Sequence, residues 1–165
     1  MDKPLAKTEF DWFGKRIRLE LFDSVDFRKL NPITQVQAIS FIDKDHLVLY
    51  KSGKGNYGCP GGHPELDESW EETLKRETRE EISAEVLKCG PIGYLKETNL
   101  ETNEIKYFLR YWAHVKLIDE PINDPDDGAR ERFVFYTEEA RARLDWGEIG
   151  QKLIESAIKN CETCE

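Results

Sequence analysis

Three glutamates, Glu77, Glu80 and Glu81, fall inside the stretch RETREE at 76–81, and relative positions 0, 3 and 4 put them on one side of a helix. Like charges at that spacing repel: Glu77 against Glu81 costs roughly 0.2 to 0.5 kcal/mol on an exposed helix, and more where water is partly excluded. A cation is the natural compensation. Hard divalent ions take carboxylate oxygens, and Mg2+ in particular is held by a few carboxylates together with water and substrate phosphates. A metal so placed lowers the pKa of water, offsets the charge of phosphate oxygens and aligns an in-line attack, with a nearby carboxylate to take the proton. The charge pattern alone fits a solvated helix better, with Arg76 and Arg79 neutralising the acids. What favours chemistry is the segment upstream, GCPGGHPELDE at 58–68, which ends on Glu68.

The elements that must position these side chains are legible locally. Gly58, Gly61 and Gly62 with Pro60 and Pro64 describe a shaped loop in which the main chain can approach a ligand. Ser69 followed by Glu72 is a capping box, so a helix is expected to start at Trp70. From there Trp70, Leu74, Thr78 and Ile82 recur every four residues, a slanting stripe that faces the core. Glu77 and Glu81 lie beside or inside that stripe and Glu80 sits on its flank. The outer face is assigned to two pairs with the acid first, Glu71 with Lys75 and Glu72 with Arg76.

Elsewhere the chain reads as strands around this helix. IRLELFD alternates Ile17, Leu19 and Leu21 with charges, Asn31-Pro32 breaks the chain, and QVQAISFI, HLVLYKS and IKYFLRYWAHVKLI are rich in β-branched and aromatic residues. Near the end, EIGQKLIESAIK places Ile149, Leu153, Ile154, Ala157 and Ile158 at helical spacing, which reads as core packing. IDEPINDPDDGARE is expected to be a long mobile loop. Strands on either side of one long helix, with a second helix at the end, suggest an α/β sandwich on a mixed sheet.

The segment GHPELDESWEETLKRETREEISA, Gly62 to Ala84, resembles the signature of the Nudix hydrolases. That signature is a glycine, five residues, Glu, seven residues, Arg-Glu, and then Glu-Glu three and four places on; Gly62, Glu68, Arg76, Glu77, Glu80 and Glu81 stand at those positions. Thr78 departs from the usual aliphatic residue and is expected to return its hydroxyl to the helix backbone. Ser83 departs from glycine, which implies a strained or differently shaped exit from the helix.

The resemblance implies an α/β/α sandwich and hydrolysis of a nucleoside diphosphate linked to another moiety, with Mg2+ or Mn2+. Carried over by position, Glu77, Glu80 and Glu81 would hold the metal, the carbonyl of Gly62 would add a ligand, and Glu68 with Arg76 would brace loop against helix and orient Glu77. One helix glutamate would serve as the base; a later-loop alternative is Glu131, which reads equally well as loop surface. Lys51 and Arg110 are candidates for contact with phosphate, and Tyr57, Phe108 or Trp112 for stacking on a base or sugar, although strand aromatics are more often core. The resemblance covers the motif closely and residues 33–158 loosely. It divides the chain into an N-terminal extension at 1–32, strand-forming and packed on the rest, a Nudix domain at 33–160, and a tail at 161–165. The alternatives are a nucleotide-binding or regulatory module that kept the scaffold without the chemistry, hinted at by Ser83 alone, and an isomerase of small diphosphates.

Bulk properties set the outer bounds. The 165 residues suit one domain, and a net charge of -9, from 33 acidic against 24 basic residues, argues against nucleic acid as partner while leaving a small polyphosphate open through cations. There is no run of about eighteen apolar residues and no signal-peptide core at the start, so a cytoplasmic protein without membrane contact is expected. Cys59, Cys89, Cys161 and Cys164 are too scattered for a disulfide framework and read as reduced thiols. His46 and His63 read as hydrogen-bonding or surface residues, since Mg2+ prefers oxygen. FDWFGKRIRLELFD at the start is a candidate edge for a second copy, so a monomer or a homodimer is expected.

Overall fold

In a computed structural model that describes residues 2–122 and 130–161, the strand-forming segments join into one nine-stranded sheet. In chain order the elements are β1 (Ala6–Trp12), β2 (Lys15–Phe22), β3 (Ile33–Asp43), β4 (His46–Lys51), β5 (Tyr57–Gly58), β6 (Gly61–Gly62), α1 (Trp70–Ile82), β7 (Ala84–Asn99), β8 (Ile105–Leu117), β9 (Glu131–Tyr136), α2 (Thr137–Leu144) and α3 (Gly147–Asn160). The strands lie in the order β1-β2-β7-β8-β3-β4-β5, with β6 on β3 and β9 on β4. Only β3 and β8 run parallel among the described pairs, so the sheet is mixed, as the sequence suggested.

Each face of the sheet has its own core. On one side Leu74 and Ile82 of α1 pack with Val36, Ala38, Val48, Leu109, Ala113 and Val115. On the other, Ala140 and Leu144 of α2 and Ile149, Leu153, Ile154 and Ala157 of α3 pack over Ile39, Phe41, Leu47, Leu49 and Leu95. Period-two alternation in the strands supplies both faces, and the result is an α/β/α sandwich.

The structure corrects several expectations. Ile158 is 40% exposed rather than core, because the stripe of α3 that meets the sheet closes at Ala157. The strand after α1 is 16 residues long and contains Gly90, Pro91 and Gly93. It absorbs the Pro91/Gly93 stretch as a bulge, and a second register shift lies at Val86/Lys88. Gly93 has φ +153°, and a Cβ there would strike the carbonyl oxygen of Phe22, so glycine is required where β7 crosses β2. Cys59 and Cys89 are free thiols, but Cys161 is disulfide-bonded; scattered spacing excludes a framework, not a single bridge. Of the acidic loop at 118–131, residues 123–129 lie outside the described residues, as does Cys164 in the tail.

Candidate active site

Helix α1 starts where the capping box places it. The Glu72 amide donates to Ser69 Oγ at 3.1 Å, and the Ser69 amide donates to Glu72 Oε2 at 3.0 Å. Leu74, Thr78 and Ile82 are completely buried, and Glu77 and Glu81 sit beside them at 8% and 3% exposure. The hydroxyl of Thr78 does not reach the helix backbone; the residue is completely buried, and its Oγ1 has no hydrogen-bond partner among the described residues.

Glu72, committed to the cap, does not form the expected outer-face pair with Arg76. Arg76 turns inward instead and hydrogen-bonds three carboxylates, with the Glu65 carboxylate a fourth neighbour at 3.7 Å. Its Nε and Nη2 fork onto Glu68 at 2.8 and 3.1 Å, and its Nη1 reaches Glu77 Oε1 at 2.8 Å and Glu80 Oε2 at 3.3 Å. Nη2 also donates to the carbonyl of His63 at 3.2 Å, tying the glycine loop to the helix. Glu68 accepts in addition from Thr73 Oγ1 at 2.6 Å and from the Glu65 amide at 3.1 Å. These bonds, the Arg76 fork foremost, hold the Glu68 carboxyl at about 2, well below its ordinary value. The same contacts push the Arg76 guanidinium up. Arg79 takes no part, pairing with exposed Glu120 at 2.7 Å.

Glu81 is fixed from two other directions. Its Oε1 accepts from the Gly61 amide at 2.8 Å, and its Oε2 forms an ion pair with Arg130. Arg130 in turn stacks on the Tyr50 ring, 4.1 Å from its centroid. Gly62 lies against Glu77 so closely that a Cβ would overlap its Oε1; the missing side chain leaves the carboxylate its place. Gly61, Gly62, His63, Arg76, Glu77, Glu81 and Arg130 line a cavity of about 280 Å³.

Other residues singled out in the sequence lie elsewhere. Lys51 and Glu131 face each other across β4 and β9 and line a neighbouring cavity with Lys54, to which Arg130 also contributes. Tyr57 is packed edge-on to Phe133 and Phe135 and covered by Arg143, a structural cluster. Arg110 is 6% exposed, on the sheet face opposite α1, away from the carboxylates. The His63 ring bonds the Thr34 carbonyl at 2.8 Å and His46 bonds Asp43 at 2.8 Å, the ordinary roles expected of them.

Sequence reasoning missed Arg130 and Arg132. Arg132 Nη1 donates to the carbonyls of Ile82 and Ser83 at 3.1 and 2.8 Å, where the end of α1 leaves oxygens without helical partners. Their signal was the period-two pattern Arg130, Arg132 ahead of FVFY, which sets both cations on one face of a strand edge.

The donor set suits a hard divalent cation: three carboxylates, all oxygen, on a rigid helix beside an open backbone. Among the described residues no group of three or more His, Cys, Asp or Glu side chains converges as a ready-made cage. The positive charge that these acids require is supplied here by Arg76 and Arg130.

A model described as the NUDIX domain matches residues 33–156. The chain belongs to the Nudix family. No curated protein sequence matches it, but solved structures do. The Bacillus subtilis pyrophosphohydrolase BsRppH is 21% identical with a TM-score of 0.60, covering 76% of this chain and 77% of that one. A Nudix hydrolase from Nitrosomonas europaea is also 21% identical at TM-score 0.60, over 76% and 88% of the two chains. An ADP compounds hydrolase is 11% identical at TM-score 0.60 but spans 95% of this chain and 92% of its own. At these identities what is shared is the Nudix fold.

Proposed function

We propose that this Nudix hydrolase cleaves the pyrophosphate bond of a nucleoside diphosphate linked to another moiety, with Mg2+ or Mn2+ as cofactor. The observation that carries the reading is the burial of Glu77 and Glu81 on one helix face, held toward a single cavity, Glu77 by Arg76 of the same helix and Glu81 by the Gly61 amide and Arg130 from outside it. Folding spends free energy to gather these anions, which a purely structural helix has no need to do.

Glu77, Glu80 and Glu81 would hold the metal, with the backbone at Gly62 beside them. A divalent cation bound there supplies positive charge for phosphoryl oxygens and lowers the pKa of water. The chain's own residues do the rest. Arg76 and Glu68 lock the loop to the helix, so the carboxylates do not reorganise when substrate arrives. Gly61 fixes Glu81 through its amide, and one of the helix glutamates takes the proton from the attacking water. Arg130 and Lys51 bring positive charge to the adjoining cavity, where a further phosphate would be neutralised.

The test is hydrolysis of a panel of nucleotide sugars, nucleoside triphosphates and dinucleotides with Mg2+. The reading expects cleavage of the anhydride and release of a nucleotide from at least one of them. Nucleotide binding without turnover would assign the chain to the regulatory alternative, and an isomerised product with its diphosphate intact would assign it to the other.

A further inference from the structure

Arg110 takes no part in the site above, yet its own setting is costly. It lies in the middle of β8 at 6% exposure; its Nη1 donates to the carbonyl of its neighbour Leu109 at 3.1 Å, its guanidinium lies 5.9 Å from the centroid of the Phe108 ring, and its Nε has no hydrogen-bond partner among the described residues. No carboxylate among the described residues pairs with it. Burial pulls its pKa down to about 10, and the neighbour acting against that is the Cys59 thiol, itself pushed up to about 12 and therefore neutral at pH 7. A buried cation without a counter-charge disfavours folding, so its retention points to a ligand.

The space around it is shaped for one. Arg110 opens onto a cavity of about 320 Å³ whose polar wall is Thr8, Gln35 and Gln37 and whose other sides include Phe10 and Trp146. That is far more room than a lone phosphate or carboxylate requires and lies at the lower end of small-molecule sites. Gln37 spends its amide N–H on the Cys59 carbonyl at 3.2 Å, which leaves its own oxygen as an acceptor. A guanidinium offers donors only. A guanine edge presents two adjacent acceptors, O6 and N7, whereas adenine places an amino group beside N7 and pyrimidines offer no such pair. A glutamine oxygen then suits the N–H groups on the far side of the same base.

Register links this cavity to the carboxylates. Arg110 of β8 pairs with Gln37 of β3, Gln37 pairs with Gly61 of β6, and the Gly61 amide donates to Glu81 at 2.8 Å. Two strand spacings separate Arg110 from Gly61, about 10 Å, a span suited to a nucleoside whose diphosphate crosses the glycine edge of the sheet. Resting on the proposed nucleotide chemistry, we propose that this cavity is the base subsite and that Arg110 selects a 6-oxopurine, guanine above adenine or uracil.

Binding without metal separates this inference from the catalytic one. The full-length protein in EDTA is titrated with GMP, AMP, UMP and inorganic phosphate, followed by tryptophan fluorescence and calorimetry. GMP is expected to bind at least tenfold more tightly than AMP or UMP. R110K keeps the charge but loses the planar fork, and it should erase that preference. R110M should erase it too while raising Tm, since it removes an uncompensated buried charge. Equal affinity for GMP and AMP in the wild type overturns the inference whatever the variants do, as does phosphate alone binding as tightly as GMP. A folded R110K that still prefers GMP overturns it as well. Selective GMP binding by a chain that hydrolyses nothing would sink the proposed activity and leave this subsite standing.

Discussion

Glu81 combines two attachments that a single substitution separates. Its Oε1 anchors the Gly61 amide, and its charge faces Arg130. In Glu81→Gln the amide oxygen can still accept from Gly61, so the fold should persist, while the charge needed for a cation is gone. The expected result is a loss of about 10²-fold or more in kcat with a near-native circular dichroism melt; full rates would refute the assignment. Thr78 offers the opposite experiment. Its buried hydroxyl is unpartnered, so Thr78→Val should raise the unfolding free energy by about 1 kcal/mol and leave turnover unchanged, as urea titration and steady-state rates would show. The motif acids were legible because their spacing is local. Arg130, Arg132 and the setting of Arg110 were not, because what they meet is distant in sequence: the alternation of Arg130 and Arg132 marks one face of a strand edge but not the end of α1 that they contact there. Glu72 had two plausible partners in the sequence, and the cap wins because Arg76 finds better acceptors inside.

At the scale of elements, both ends of α1 decide how the acids are presented. Ser83 closes the helix in the left-handed region, with φ 49° and ψ 57°, the unusual exit that its replacement of glycine implied. Its hydroxyl donates to the Glu120 carbonyl at 2.7 Å. Ser83→Ala keeps the strain and loses the bond, and should cost about 1 kcal/mol. Ser83→Gly loses the bond but relieves the backbone, so it should be the more stable of the two variants in a denaturant melt. At the other end, the Glu68–Arg76 brace carries a pH signature. Because the Glu68 carboxyl sits near 2 when folded, below its ordinary value, its contribution is complete above that ordinary value and disappears as pH falls toward about 2. Glu68→Gln should therefore show a shallower loss of stability between pH 5 and pH 2 than the wild type, measured by urea unfolding. The capping box made α1 readable to the residue. β7 was not, since its bulges place glycine and proline inside a strand, and α2 was not, since only Ala140 and Leu144 of its eight residues are buried.

Across the whole molecule the sheet separates two jobs. One face, under α1, gathers anions beside a glycine edge; the other, under α3, encloses a cavity beside Arg110, which no carboxylate among the described residues pairs with. The mixed sandwich was legible from alternating strands flanking one amphipathic helix. The strand order was not, because β2 joins β7, β8 joins β3 and β9 joins β4 across long stretches of intervening chain. With a net charge of -9, the chain would meet a polyphosphate favourably only where its arginines and a bound cation concentrate positive charge. That cation is the central claim, and isothermal titration of Mn2+ and Mg2+ into the protein, with and without a non-hydrolysable nucleotide, tests it most directly. Saturable uptake is expected that strengthens with nucleotide and is abolished in the Glu77→Gln, Glu81→Gln double variant. Identical heats in the two proteins, or no uptake by either, would contradict it.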